Sequence, residues 1–184
     1  MPDGPEIGDA SAGTLASESA VVTESEITEP EITDPEITDP EITDPEITLS
    51  GPGQLLPISA TAQLRAEQIE LEVAETSQQQ ALGLMFRSAL PDNRGMLFPL
   101  GQPRRARFWM KDVPVALDMV FFLNSEVIHI ESEVPPCASI PCPSYGPERE
   151  LVNQVIELRS GRAAEIGLQP GDTVVIERFP ANDL

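Results

Sequence analysis

Apolar and polar positions alternate along much of the second half of the chain. Ile69-Glu70-Leu71-Glu72-Val73 alternates strictly and predicts a strand with one face inward. Thr76 to Phe86 predicts a short helix, with Thr76 or Ser77 as N-cap and Ala81, Leu84 and Met85 on one face. Pro91 to Gly95 reads as a loop, and Gly95 to Phe98 as a short buried strand ended by Pro99. Arg104 to Lys111 predicts a strand with two unlike faces, Arg105, Arg107, Trp109 and Lys111 against Ala106, Phe108 and Met110. Asp112-Val113-Pro114 turns the chain into a hairpin, Leu117 to Leu123 and Glu126 to Glu133, around Asn124-Ser125. Pro135 to Pro147 is a Pro-rich loop, and Leu151 to Leu158 another strand. Ser160 to Gly167 gives one or two helical turns, with Ser160 as cap and Gly167 as stop. A turn at Gln169-Pro170-Gly171-Asp172 leads to a closing strand, Thr173 to Arg178. Six or seven strands and two short helices predict an α+β, mostly β fold, a small twisted antiparallel barrel or sandwich.

The first third of the chain follows no such period. Residues 26–45 repeat EITEP, EITDP, EITDP, EITDP, with a broken copy, EITLS, behind them. A period of five fits neither helix nor strand, and Pro30, Pro35, Pro40 and Pro45 each remove a backbone donor. Of 31 acidic residues, 14 lie in residues 1–59, which hold no Lys or Arg. Residues 60–184 carry the other 17 acids and all 11 bases. The expected organisation is a disordered acidic tail, 1–59, followed by one globular β-rich domain, 60–184. The tail reads as a solubilising segment or an extended spacer.

A net charge of −20 disfavours nucleic acid and anionic membranes as partners. No apolar run is long enough to predict a transmembrane segment, and Met1-Pro2-Asp3-Gly4 has neither the basic nor the apolar region of a secretory signal. Cys137 and Cys142 are either two reduced thiols or one disulfide closing a small loop; His129 is the one His, so no zinc set is complete and no metal or cofactor is expected. Met85, Met96, Met110 and Met119 read as core rather than soft-metal ligands. Neither a G-x-S-x-G elbow nor a glycine-rich phosphate loop is present.

Candidate chemistry gathers on the hairpin. A two-residue turn pairs Leu123 with Glu126, Phe121 with Ile128 and Met119 with Ile130 on the inward face. The outward face then pairs Phe122 with Val127, Val120 with His129 and Asp118 with Glu131. Two adjacent carboxylates repel unless a cation from Lys111 or Arg107, or a bound ion, sits between them. Asp118, Glu131, His129 and Lys111 are thus the candidate acid–base residues, since close carboxylates push one pKa up and an imidazole titrates near neutrality. Trp109, with Arg107 and Lys111 beside it, is the candidate ligand-binding surface, a stacking platform or a cation–π pair within the fold.

Several motifs recur in an order that resembles a known family. They are Gln80-Ala81-Leu82-Gly83-Leu84-Met85-Phe86-Arg87, Gly95-Met96-Leu97-Phe98, Phe108-Trp109-Met110-Lys111-Asp112, and Pro114 with Leu117-Asp118-Met119-Val120-Phe121. Pro136-Cys137, Pro141-Cys142-Pro143-Ser144-Tyr145 and Gly167-Leu168-Gln169-Pro170-Gly171-Asp172 complete the set. Over about residues 67–178 the chain resembles the small bacterial and archaeal family known as domain of unknown function 192. Asp112 stands where that family often has Asn, and Asn153-Gln154 where an aromatic is usual. The resemblance implies a compact, mostly β domain with no catalytic residue to carry over. It also implies an extracytoplasmic setting, periplasm or envelope, while the residues themselves leave the cytoplasm open.

The leading expectation is a non-enzymatic, exported binding or accessory domain with a polar groove near Trp109 for a small polar ligand or envelope polymer. The alternatives are a hydrolase-like enzyme using Asp118 and Glu131 with His129 or Lys111, and a structural or protein-interaction module.

Overall fold

The computed structural model describes residues 46–179. Along them run β1 (Ile58–Leu64), β2 (Glu67–Val73), α1 (Ser77–Leu82), β3 (Arg94–Arg104) and β4 (Phe108–Trp109). Then come β5 (Leu117–Leu123), β6 (Glu126–Val134), β7 (Ser144–Tyr145), β8 (Val152–Arg159), α2 (Arg162–Ile166) and β9 (Val175–Arg178). The fold is mostly β with two short helices, as the periodicity predicts. The EITDP repeats and most of the predicted tail lie outside the described residues. Residues 46–57 pack on the domain, and β1 begins at Ile58, so the expected boundary at residue 60 falls inside a strand.

Seven strands form one sheet in the order β6-β5-β8-β3-β2-β1-β9; β4 and β7 make a separate two-stranded ribbon. The pairings are antiparallel except β2 with β3, which run parallel from Glu70↔Arg94 to Val73↔Leu97. A parallel neighbour needs a crossover, and residues 74–93, including α1, supply it. The sheet curls until β6 touches the approach to β9 at Glu126↔Thr173, where Val127 N–H donates to Asp172 O (2.9 Å) and Val174 N–H to Ser125 O (2.8 Å). The edges meet only there, so the barrel is not closed and not wholly antiparallel.

Strand β5 is buried on both sides, which is what its unbroken apolar run demands. One face joins Ile69, Leu71, Val120, Phe122, Ile156 and Leu158 in a core covered by α2, Leu168 and Val174. The other joins Met96, Phe98, Met110, Met119, Phe121 and Val155 in a second core covered by the crossover and the 106–113 segment.

The predicted strand 104–111 does not form as one piece. Strand β3 runs on past Pro99 to Arg104, with an irregular register between those two residues, and only Phe108–Trp109 pair again, with Tyr145 and Ser144. Pro99 and Pro103 offer no N–H, and a proline is tolerated in a strand at such irregularities. The alternation survives nonetheless: Ala106 and Met110 are buried, Arg105, Arg107 and Trp109 exposed.

Helix α1 carries a capping box, Thr76 Oγ1 accepting from Gln79 N (3.1 Å) and Gln79 Oε1 from Thr76 N (2.9 Å). It ends at Leu82, four residues short of the predicted Phe86, because Gly83 and Phe86 both adopt positive φ, 48° and 64°. Helix α2 stops at Gly167 in the left-handed region, as expected, but Ser160 does not cap it.

Candidate functional site

The hairpin turns at Asn124-Ser125, and Leu123↔Glu126 and Phe122↔Val127 pair as predicted. Beyond them the register slips: Phe121 faces His129, Val120 faces Ile130 and Met119 faces Glu131. One extra residue on β6, around Ile128, accounts for the shift, as a β-bulge does. Cross-strand partners share a face, so Glu131 lies on the Met119 side and Asp118 on the opposite one. The predicted Asp118–Glu131 carboxylate pair therefore does not exist.

Asp118 is fully buried. Its Oδ1 accepts from Glu133 N (2.8 Å) and Gly161 N (3.0 Å), and its Oδ2 from Ala163 N (2.8 Å). It caps α2 from a neighbouring strand, the role expected of Ser160. Its oxygens are engaged in holding the helix. Glu131 accepts from Gly146 N (2.9 Å) and lies 3.1 Å from His129 Nε2, at an angle that makes no hydrogen bond. The His129 ring sits 5.9 Å from that of Phe121. Lys111 joins neither: its Nζ stands 5.8 Å over the Trp109 ring and 3.8 Å from Asp112. Of the four acid–base candidates, His129 and Glu131 are thus neighbours, whereas Asp118 and Lys111 stand apart from them.

A different place on the molecule is concave. A cavity of about 400 Å³ opens between the crossover and the 104–109 segment. That size is in the range of small-molecule sites. Leu84, Met85, Phe98, Leu100, Phe108 and Val113 give it apolar walls. Gln80 to Gly83, the C-terminal end of α1, form another side. Arg104, Arg105 and Arg107 are exposed and line it as well, beside the half-exposed Trp109. Of the predicted ligand surface, Trp109 and Arg107 line this cavity and Lys111 does not.

The ribbon fixes this wall from behind. Arg107 Nη1 donates to Gly146 O (3.1 Å), its Nε to Ser144 Oγ (3.0 Å) and its Nη2 to Ser144 O. Cys137 and Cys142 are joined by a disulfide, Cα to Cα 5.5 Å, just ahead of β7. Cys137 N–H reaches Met110 O at 3.4 Å. Arg104 and Arg105 form no ion pair among the described residues.

Glu157 also lines the cavity. It lies on β8, flanked by Met96 on β3 and Met119 on β5, and is only 5% exposed. Its carboxyl has no hydrogen-bond or ion-pair partner among the described residues. Burial pushes its pKa up to about 8; Arg87 pulls weakly the other way. Arg87 is itself buried and committed to Glu72, Nη1–Oε1 2.7 Å and Nη2–Oε2 2.6 Å, leaving its Nε without a partner. At neutral pH Glu157 is therefore a neutral carboxyl, able to donate or accept a hydrogen bond on a mostly apolar surface. An unpaired, shifted acid in a cleft is the pattern by which functional sites are recognised. The sequence carried one sign of it, a lone acid inside the apolar run Val155-Ile156-Glu157-Leu158. Among the described residues no cluster of His, Cys, Asp and Glu is arranged to hold a metal ion.

No curated protein matches the chain. A protein of unknown function from Novosphingobium aromaticivorans is 32% identical, over 64% of this chain and 83% of that one, with a TM-score of 0.56. A protein from Sinorhizobium meliloti described as a candidate transcription regulator is 28% identical, over 67% of this chain and 97% of that one, with a TM-score of 0.58. The profile of a family described as an uncharacterized ACR matches residues 58–176, from the first residue of β1 into β9. Because that stretch takes in the whole sheet, the crossover and the cavity walls, the chain belongs to the family known as domain of unknown function 192.

Proposed function

We propose that this domain is a binding module whose site is the cavity between α1 and the Arg104–Trp109 segment, and that its ligand is a small molecule with a polar, anionic end and an apolar body. One observation carries the reading: three arginines line an apolar hollow, and two of them, Arg104 and Arg105, form no ion pair among the described residues, on a domain whose acids outnumber its bases. Guanidinium forks suit anionic oxygens, and apolar walls with an indole suit a hydrocarbon body. With Asp118 engaged in capping, the carboxylate-pair hydrolysis considered above has no second acid. We also propose an extracytoplasmic location. The Cys137–Cys142 disulfide supports it, since such bonds persist mainly in oxidising compartments.

A thermal-shift screen of small organic anions against neutral and cationic analogues tests the site. Anions should raise the Tm of the wild type. They should fail to do so in Leu100→Trp, which fills the hollow, and in Arg105→Glu, which reverses charge at the mouth. The reading is lost if no anion shifts the wild type or if Leu100→Trp responds equally.

A further inference from the structure

The polar groups around the cavity are unevenly distributed. Positive charge is confined to Arg104, Arg105 and Arg107, within four residues of one another. Gln80 to Gly83, where α1 ends, line it too, but Leu82 O and Gly83 O already accept from Met85 N and Gln54 Nε2 (3.0 Å each); with Arg107 held by Ser144 and Gly146, Arg104 and Arg105 are left to meet an anion, which suits a single charge better than a phosphate dianion. Between them the lining is Phe98, Phe108, Leu84 and Met85, with the unpartnered carboxyl of Glu157. One negative charge at the mouth and an apolar body inside is the occupant that these walls fit.

Such an occupant acts on Glu157 in two ways. Its body displaces water from the carboxyl, and its charge adds repulsion. Both penalise the ionised form. The groups facing Glu157 from its neighbours offer little in return. Met96 and Met119 flank it without charge, Arg87 is held by Glu72, Gln80 is neutral, Arg107 is held by Ser144 and Gly146, and Arg104 and Arg105 are taken up by the ligand itself. Resting on the reading of this cavity as the ligand site, we propose that it selects a monocarboxylate with an apolar body and binds it only while Glu157 is neutral, so that ligand and proton bind together.

The test uses the full chain and its one tryptophan, Trp109, in the cavity wall, as a fluorescence probe. Hexanoate and phenylacetate are titrated at pH 6 and pH 9, beside phenyl phosphate and hexanol. Both carboxylate probes keep their charge over that range. With the Glu157 proton leaving at about 8, the carboxylates should bind roughly tenfold more weakly at pH 9 than at pH 6. Glu157→Gln, neutral at both pH values, should flatten that dependence, which separates this proton from any other in the chain. Equal carboxylate affinities at the two pH values in the wild type overturn the coupling but leave the site standing. Phenyl phosphate or hexanol binding as tightly as the carboxylates overturns the ligand class. Should no probe saturate, the proposal fails, and the anion screen with Leu100→Trp then decides separately whether the cavity is a site at all.

Discussion

Replacing Glu157 by Gln should stabilise the folded chain, and by an amount that depends on pH. In the unfolded chain this acid titrates near 4.5, whereas in the sheet it holds its proton to about 8. As pH rises past 4.5 the unfolded state ionises first and is favoured. The contribution of the group to stability is therefore complete below 4.5, declines as pH climbs, and is fully lost above 8. At 1.36 kcal/mol for each pH unit, the interval from 4.5 to about 8 corresponds to ~5 kcal/mol, with about 3 kcal/mol already lost at pH 7. Gln keeps the shape and never ionises. Urea denaturation of both proteins at pH 5, 6, 7 and 8 should give a gap of about 1 kcal/mol or less at pH 5. The gap in favour of the variant should then widen by roughly 1.4 kcal/mol per pH unit. Asp92 and Glu165, held below the usual carboxylate range by hydrogen bonds from Arg159, act in the opposite sense and at more acid pH, so they do not mimic this slope. Parallel profiles, with a constant difference from pH 5 to pH 8, would refute the idea that Glu157 is neutral in the native state.

Asp118→Ala should cost about 2 kcal/mol or more, because it strands the buried Ala163 N–H and the part-buried N–H groups of Glu133 and Gly161; a loss under 1 kcal/mol by chemical denaturation would show that α2 does not depend on this cap. Arg87→Met alone should destabilise by roughly 3–5 kcal/mol by leaving Glu72 unpaired in the interior, and Glu72→Leu added to it should recover most of the loss, a double-mutant cycle that equilibrium unfolding can read. Opening the disulfide with Cys137→Ser and Cys142→Ser removes a loop with a sequence separation of 5, for which chain entropy gives ~2 kcal/mol; a Tm unchanged by the double substitution would contradict that figure.

Much of the architecture is written in local patterns. The Thr76 capping box, the Asn124-Ser125 turn and the Gly167 stop each need only a few neighbouring residues, and each forms. Strand β1 is hard to read from the sequence because its inward positions, Ala60, Ala62 and Leu64, are mostly small and give a weak apolar signal. Parallel pairing of β2 with β3 leaves no trace in alternation, which is the same for either direction. The bulge in β6 has a larger effect. Apolar Ile128 and Ile130 fit either register, so nothing local marks the extra residue, yet the shift sends Asp118 and Glu131 to opposite faces. Trp109 and Arg107 were visible as an exposed face, but the hollow they border is made by residues from the crossover, β3 and β8, whose meeting no single segment encodes. Glu157 was legible only as an oddity within an apolar strand.

The parallel step between β2 and β3 has a consequence for the hollow. A chain that must re-enter the sheet in the same direction has to travel back over one face, and here that return path, residues 74–93, supplies one side of the hollow. Lengthening or reshaping the return leaves every ladder bond in the sheet untouched. The wall of the hollow can therefore change in length or shape without disturbing the sheet that forms its floor.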